Sequence, residues 1–417
     1  MNILMLGNGF DLYHKLPTTY LCFLKTVEYI KDNDVKDLVI WSIFNKLKSD
    51  CSDIDKSFNE YNDFYHGYFF DDSDKKAIEQ IKSISSNNYW LKYFLRTYNK
   101  ELGWIDFEKE IAKVVRCFSN ISINDYINGT KKLSTEERLI IGSFNYFSTF
   151  INESIEINGN GSKRIIPRHL ELKEEYFIEY PYGSGERIVN EEKIIAKLYH
   201  ELRNLAEMLK IYLEVFVNKP LKKMKDMGVA INNPVFTDYD QIVSFNYTDT
   251  YSTLYDNTKT HYIHGELGKD IVLGINPDKY DETDYLDTSY IMFKKYYQRV
   301  YYRTDNSYIK MVEDEVNDLD SDNRELNSLV VCGHSLDVTD KEIIEALFYI
   351  SDYIFIVCHN LTNIGKYVKN LIAIYGKGEF DRLRNQKHLE FITYEEWEKR
   401  KYFDMHIRVG FGKPIMF

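Results

Sequence analysis

The sequence predicts an α/β protein in which a mostly parallel sheet is interrupted by a large helical insertion. Short apolar runs of strand length occur at the N-terminus and again after Pro234. Between them, apolar residues recur at helical spacing. Fully apolar strands separated by helices are typical of a sheet that helices cover on both faces. We therefore expect one sheet domain formed by residues 1–30 and 231–417, with a mainly helical insertion over residues 31–230.

The composition indicates a folded chain with an acidic surface. Apolar residues make up 44% and aromatic residues 15% of the 417 positions, too many for a disordered polymer. The formal net charge of −12 disfavours nucleic acid and anionic lipid as partners. No apolar run reaches the roughly 20 residues of a membrane-spanning helix, and the N-terminus lacks the basic segment of a signal peptide. We expect a cytoplasmic protein with no membrane partner.

The cysteines indicate neither a disulfide framework nor a zinc site. They number five, and no Cys-x-x-Cys pair occurs among Cys22, Cys51, Cys117, Cys332 and Cys358. Structural zinc sites and disulfide scaffolds both depend on paired cysteines. The sequence therefore predicts buried thiols and no bound metal.

The chain begins as a strand, a loop and a helix. Residues 2–6 are apolar and predict the first strand, and the polar segment from Gly7 to Leu16 predicts a loop. Pro17 and the threonines after it suit the first turn of a helix that runs to about Ile30.

Later segments predict further strands and helices. The helical insertion is clearest over residues 105–118 and 194–209, and turn residues near 158–163 and 176–185 predict loops or small hairpins. A helix is predicted over residues 340–348, capped by Thr339 or Asp340. Strands are predicted over residues 241–245, 260–264, 271–274, 329–332, 353–357 and 389–393.

Polar residues follow four of the predicted strands at the point where each strand ends. The four segments are Gly7-Asn8-Gly9-Phe10-Asp11, Asn246, His264, and Gly333-His334-Ser335-Leu336-Asp337. Ligands of open parallel sheets bind beyond the carboxyl ends of the strands. The four endings are therefore expected to share one crevice.

Two interpretations stand for the first of these segments. Gly7 and Gly9 allow backbone N–H groups to approach a pyrophosphate, but Leu12 replaces the third glycine of the dinucleotide fingerprint. A Gly-x-Gly pair after a strand is also common in plain turns. In the first interpretation Asp11 binds a ribose hydroxyl, and in the second it caps the turn.

The other strand ends carry similar alternatives. Asn246 can hold a water or a sugar hydroxyl through its neutral amide, or cap a turn. His264 can act as a general base, or be a buried structural histidine. His334 and Ser335 contact phosphate or ribose, or form a turn with a local hydrogen bond.

A pair of carboxylates lies in the inserted region. Asp106 and Glu108 are two residues apart, so on a helix they point to different faces and do not form an acid–base pair. A charged first turn of a helix explains them. The alternative is that one of them covers the crevice.

Several of these segments together resemble the AbiH family of bacteriophage abortive-infection proteins. The resemblance spans nearly the whole chain and is carried by residues 6–12, 16–18, 104–108, 244–248, 263–267, 273–275, 295–298 and 332–337. The AbiH pattern is in turn remotely similar to the sirtuin-type NAD-binding fold. This resemblance implies a Rossmann-like (sirtuin/DHS-like) sheet.

The remote resemblance also implies roles for individual residues. Gly7-Asn8-Gly9 would match the phosphate loop, Asn246 the amide near the nicotinamide ribose, and His264 the catalytic histidine. Gly333 and Ser335 would match a late nucleotide contact. Two departures matter: the chain lacks the four-cysteine zinc module of sirtuin deacylases, so protein deacylation is not expected, and Thr248 stands where relatives often have Asp.

The expected function is therefore defence against phage through hydrolysis of the nicotinamide–ribose bond of NAD or a related nucleotide. On this hypothesis NAD is the substrate, Asn246 and His264 are catalytic, and the Gly7 loop, Gly333, His334, Ser335 and Asp337 bind the nucleotide. The alternatives are a nuclease or other nucleotide-cleaving enzyme, and a nucleotide-sensing module without turnover. Candidate partners are the nucleotide, a phage-derived trigger and further copies of the chain.

Overall fold

The computed structural model describes residues 1–98, 107–120, 134–144, 146–150, 154–157, 163–166, 170–179, 187–255, 259–275, 288–304, 307–318, 326–385 and 389–400. Its strands, numbered in chain order, are β1 (Asn2–Leu6), β2 (Phe147–Phe150), β3 (Ser154–Ile157), β4 (Lys163–Ile166), β5 (Leu170–Leu172), β6 (Phe177–Glu179), β7 (Arg187–Val189), β8 (Gln241–Ser244), β9 (Thr260–Tyr262), β10 (Ser328–Cys332), β11 (Tyr353–Cys358) and β12 (Leu389–Thr393).

A six-stranded sheet forms the centre of the molecule. Its strand order is β12-β11-β10-β1-β8-β9, and every neighbouring pair is parallel. The mixed α/β class and the parallel sheet predicted from the sequence are thus confirmed. Because all six strands run the same way, their carboxyl ends lie at one edge of the sheet.

The sheet is buried on both faces. In β1, Ile3 and Met5 pack into one apolar cluster, whereas Leu4 and Leu6 pack into another on the opposite face. All four side chains are at most 1% exposed. Burial on both faces explains why these strands are apolar throughout and do not alternate with polar residues.

Helices make up most of the remaining described chain. They are Asn8–Tyr13, Tyr20–Asp32, Ile40–Leu47, Ser52–Glu60, Asn62–Gly67, Asp72–Ser85, Tyr89–Thr97, Phe107–Asn120, Thr135–Ser143, Glu191–Leu213, Lys219–Asp226, Thr250–Leu254, Lys295–Tyr302, Ser307–Asp318, Lys341–Tyr349, Ile364–Tyr375 and Lys377–Asn385. None of the helices in the described part of the chain is long and apolar enough to cross a membrane.

The region between β1 and β8 contains most of these helices and three two-stranded antiparallel sheets. These sheets pair β2 with β5, β3 with β4, and β6 with β7. The last two fall where turn residues predicted loops or hairpins. The long helix Glu191–Leu213 and its neighbours share a large apolar cluster that includes Trp90, Phe94 and Phe107.

Two local predictions are wrong. The segment from Gly7 to Leu16 is not simply a loop, because the Gly7 carbonyl accepts from Phe10 N at 2.9 Å and the chain turns directly into the helix Asn8–Tyr13. Residues 271–274 form no strand. The backbone of Leu273 is hydrogen-bonded to the side chain of Gln298, at 2.9 Å through its N–H and 3.1 Å through its carbonyl, so a side chain takes the place of a neighbouring strand.

Candidate functional site

Four strands with polar endings lie side by side at the carboxyl edge of the sheet. Their order is β10, β1, β8 and β9. The segments that begin at Gly7, Asn246, His264 and Gly333 are therefore adjacent in space. This adjacency follows from the parallel arrangement, as the sequence predicts.

The glycines after β1 and β10 lie in direct backbone contact with each other. A Cβ on Gly7 would lie 2.5 Å from His334 Cα, and one on Gly9 would lie 2.6 Å from Gly333 Cα. Gly333 has a φ of +71°, and a Cβ there would lie 2.2 Å from Phe10 N. These positions require glycine because the two loops touch.

The backbone donors of the first loop are largely used inside the protein. Gly7 N donates to Cys332 O at 3.1 Å and Gly9 N to Gly333 O at 2.9 Å. Asn8 is exposed, and its Oδ1 accepts from Thr18 Oγ at 2.7 Å. The phosphate contact stays a prediction, and Asn8 is the residue of this loop that faces solvent.

Phe10 is a core residue. It is 1% exposed and packs edge-on against Phe236 with 5.0 Å between ring centroids. It also contacts His14, Tyr251 and Tyr255. The Phe10 ring therefore has no exposed surface in this structure with which to make the predicted nucleotide contact.

Asn246 links the endings of β8 and β1. Its Nδ2 donates to Gly7 O at 3.0 Å, and its side chain opposes the rise in the pKa of the neighbouring Asp11. The Asn246 backbone N–H donates to Ser244 Oγ at 3.2 Å. The amide thus fixes the position of the β8 ending relative to the β1 ending. An isolated turn cap, the alternative interpretation of Asn246 from the sequence, would not link the two strands.

Asp11 is a buried carboxyl group beside Asn246. Its Oδ2 accepts from Thr248 Oγ at 2.7 Å, and Thr250 Oγ donates in turn to Thr248 Oγ at 3.2 Å. Within the described residues, Asp11 Oδ1 has no hydrogen-bond partner. Burial raises the pKa of Asp11 to about 6, although its hydrogen bonds oppose the shift. At 1% exposure, the carboxyl is inside the protein, not on the surface of a crevice.

His264 faces a carboxylate that the sequence did not associate with it. Its Nε2 lies 3.3 Å from Asp340 Oδ1, and both side chains are 8% exposed. Burial lowers the pKa of His264 to about 4, with Lys295 acting in the same direction and Asp340 opposing it. His264 is therefore neutral at physiological pH and is oriented by Asp340.

His334 approaches the other oxygen of the same carboxylate. Its Nε2 lies 3.4 Å from Asp340 Oδ2, and its Nδ1 accepts from Leu336 N at 3.0 Å. Because a backbone N–H can only donate, neutral His334 carries its proton on Nε2. That proton points towards Asp340.

Lys295 completes this group of charges. Its Nζ lies 3.2 Å from Asp340 Oδ1 and 2.7 Å from Glu108 Oε1, and the lysine side chain is 1% exposed. It also lies 3.5 Å from His264 Nε2. We call Glu108, His264, Lys295, His334 and Asp340 the carboxyl-edge cluster.

The pKa values of the ion pair follow from its geometry. Burial alone would raise the pKa of Asp340, but Lys295 and the hydrogen bonds from His264 and His334 hold it well below its usual range. Burial would lower the pKa of Lys295, but Asp340 and Glu108 raise it. Both groups are therefore ionised at neutral pH, and the cluster carries one positive and two negative side chains once Glu108 is counted.

The remaining predicted site residues lie beside this cluster. Ser335 is half-buried, and its carbonyl accepts from Asn370 Nδ2 at 2.9 Å. Asp337 Oδ1 accepts from Thr339 N at 3.1 Å and caps the short helical turn Val338–Asp340. The turn interpretation therefore accounts for the Asp337 side chain.

The family of the chain is shown by a family model. The model described as bacteriophage abortive infection AbiH matches residues 3–353. The chain belongs to the AbiH family. Membership implies a role in abortive-infection defence against phage. No curated protein and no solved structure matches the chain significantly, and the similarity to sirtuin-type proteins stays a prediction.

Two central residues of this candidate site, Asp340 and Lys295, were not predicted as site residues from the sequence. The sequence predicts Asp340 only as a possible helix cap. Asp340 does occupy the N-cap position of the helix Lys341–Tyr349, but its side chain makes no cap hydrogen bond. Lys295 stands in one of the segments that carry the AbiH resemblance, which was the available signal. Glu108 does reach the cluster, whereas Asp106 lies outside the described residues.

The side chains around the candidate site also decide whether it could hold a metal ion. Among the residues that the structure describes, no group of three or more His, Cys, Asp or Glu side chains is arranged to hold a metal ion. The cluster instead has the composition of an acid–base and electrostatic site.

Proposed function

We propose that this AbiH chain acts in phage defence by hydrolysing the nicotinamide–ribose bond of NAD or a closely related nucleotide. The observation that carries the proposal is the contact between His264 and Asp340, with 3.3 Å between Nε2 and Oδ1. A neutral imidazole oriented by a carboxylate is the arrangement of a general base. It lies at the sheet edge where parallel α/β folds bind ligands.

The strand order supports a nucleotide as the ligand. Counting only the strands of the central sheet along the chain, the order β12-β11-β10-β1-β8-β9 is 6-5-4-1-2-3. Dinucleotide-binding folds have this order, and they bind their ligand at the point where the order reverses. In this chain that point lies between β1 and β10, next to the cluster.

The charge of the cluster supports cleavage of a glycosidic bond to a cationic base. The nicotinamide ring of NAD carries a positive charge, and the ribose develops oxocarbenium character as the bond breaks. Asp340 and Glu108 outnumber Lys295, so the cluster stabilises positive charge in a water-poor setting. The leaving nicotinamide needs no strong general acid.

His264 is the residue that would activate water. Its Nε2 faces Asp340, and within the described residues no hydrogen bond is formed by its Nδ1. With a pKa lowered to about 4 by burial, the ring is neutral and able to accept a proton from water at pH 7. We assign this role to Nδ1.

Asn246 would position the ribose. Its Nδ2 is engaged with Gly7 O, which leaves the carbonyl oxygen of the amide as the acceptor for a sugar hydroxyl. Asn8 and Ser335, the more accessible polar residues of the neighbouring loops, would contact the phosphates and the second ribose.

The test is release of nicotinamide from NAD by the purified protein, followed by chromatography with and without phage lysate. The variants are His264→Ala and Asn246→Ala, each checked for folding by circular dichroism. His200→Ala is the matched control, because His200 is an exposed histidine of the insertion. The proposal expects release by the wild type and the control, and a loss of at least about 100-fold in His264→Ala.

Other outcomes identify the alternatives. Release that survives His264→Ala contradicts the assignment of the base. If the protein releases no nicotinamide from NAD but consumes another nucleotide, and this consumption requires His264, that other nucleotide is the substrate. Tight nucleotide binding without turnover in the wild type would favour a sensor.

A further inference from the structure

A second polar arrangement lies at the opposite, amino edge of the sheet. A cleft of about 290 Å³ opens there, lined by Met1, Gln241, Lys259, Ser307, Lys310, Met311, Asp314 and Glu315. Gln241 begins β8, and Ser307 begins the helix Ser307–Asp318. No residue of the carboxyl-edge cluster lines this cleft.

A chain of hydrogen bonds runs from the cleft into the sheet. Ser307 Oγ lies 2.6 Å from His261 Nδ1, and His261 Nε2 lies 3.0 Å from Gln241 Oε1. His261 is completely buried within β9, whereas Ser307 is half-buried. The serine hydroxyl at the cleft is thus hydrogen-bonded to a histidine, and the histidine is hydrogen-bonded to a side-chain amide.

The direction of these hydrogen bonds sets the state of the imidazole. Gln241 Oε1 can only accept, so His261 donates from Nε2. The neutral ring then has its lone pair on Nδ1, directed at the Ser307 hydroxyl. Nucleophile, base and orienting group are in the order that activated serines require.

The position of Ser307 adds electrostatic support. It is the first residue of a 12-residue helix, and the N–H groups of a first helical turn have no acceptor within the helix. Such N–H groups stabilise an oxyanion that forms close to the helix terminus. Lys259 and Lys310 offset Asp314 and Glu315 in the lining, so these four side chains leave no net charge at the cleft.

We propose that Ser307 is the nucleophile of a second site that hydrolyses small carboxylic esters or thioesters. Ser307 Oγ attacks the acyl carbon while its proton passes to His261 Nδ1, and this proton leaves with the alcohol or thiol when the acyl–oxygen or acyl–sulfur bond breaks. Water then attacks the acyl-serine and gives one proton to Nδ1. Release of the acid returns that proton to Ser307 Oγ, so one water is consumed per ester.

The test uses the full-length protein and a fluorophosphonate probe, in which Ser307 Oγ would displace fluoride from phosphorus. Intact-mass and peptide mass spectrometry locate the adduct, and hydrolysis of p-nitrophenyl acetate measures turnover. The expected result is a single adduct on Ser307, abolished in Ser307→Ala and slowed at least about 100-fold in His261→Asn. Ser351→Ala is the control, because Ser351 is half-buried and hydrogen-bonded to a helix carbonyl.

Gln241 is assigned as a positioning residue. Gln241→Met removes the acceptor for His261 and is expected to slow labelling, whereas Gln241→Glu retains an acceptor and is expected to restore it. Labelling at other serines, or no labelling of a folded wild-type protein, overturns the proposal. Loss of nicotinamide release in Ser307→Ala would also contradict it, because the two sites would then not be separate.

Discussion

Asp340 and Lys295 form a buried ion pair, with 3.2 Å between Oδ1 and Nζ. Asp340 comes from the loop after β10, and Lys295 from the start of a helix more than forty residues earlier in the chain. The same carboxylate also faces His264 and His334. Asp340 therefore joins the endings of β9 and β10, and its pairing with Lys295 sets the charge around the candidate base.

Replacing Lys295 with Met is expected to destabilise the fold strongly. Asp340 and Glu108 would be left as facing carboxylates without their cation, which costs about 3–5 kcal/mol when a buried pair is broken. Denaturant unfolding at pH 7 measures the change. Lys25→Met is the control, since Lys25 pairs with a partly exposed Glu28. Equal stability of Lys295→Met and wild type would contradict the account of the cluster.

Asp11→Asn is expected to stabilise the protein at pH 7. Because burial raises the pKa of Asp11 from 3.8 to about 6, ionisation disfavours the folded state as pH rises from about 4 to 6. The variant lacks this penalty, which is on the order of 2–3 kcal/mol. The stability difference between variant and wild type should therefore grow over this pH range and then stay constant. A difference that does not change with pH would refute the assignment.

His264 gives a pH dependence of the opposite sign. Its pKa is lowered by burial from 6.5 to about 4, so its contribution to stability is complete above pH 6.5 and is lost as pH falls towards 4. His264→Asn removes the titrating ring. Urea unfolding at pH 7, 6 and 5 should show a larger loss for the wild type, by about 2 kcal/mol between pH 7 and pH 5. His14 titrates in both proteins and cancels in the comparison.

Gly333→Ala is expected to disrupt the contact between the two glycine loops. The added Cβ would lie 2.2 Å from Phe10 N in a backbone with φ of +71°, and both conditions destabilise the folded protein. Gly365→Ala is the matched control because a Cβ there meets nothing within 4 Å, and alanine at this helical position should stabilise by up to about 1 kcal/mol. Thermal unfolding should separate the two variants. A Gly333→Ala protein as stable as the control would show that the loops do not touch.

The sheet could be predicted from the sequence because its strands are buried on both faces and are therefore apolar throughout. The same reasoning failed at residues 271–274, where the backbone of Leu273 is hydrogen-bonded to the Gln298 side chain and Val272 N donates to His264 O. Sequence periodicity records burial and does not identify the hydrogen-bond partner.

The candidate site could be predicted in part for a related reason. His264 and His334 follow strands, so the parallel arrangement brings them to one edge. Asp340 and Lys295 occupy the starts of helices, where a polar residue is ordinary and carries no signal of its own. Their convergence on His264 depends on how the helices pack, which the local sequence does not specify.

The most direct test of the central claim is the nucleotide pool of infected cells. Mass spectrometry would compare cells that express wild type, His264→Ala, Asp340→Asn or the His200→Ala control before and after phage infection. The account predicts that NAD, or one related nucleotide, falls with wild type and the control and is spared by both site variants. Depletion that persists in a folded His264→Ala protein, or protection from phage with an unchanged nucleotide pool, would contradict it.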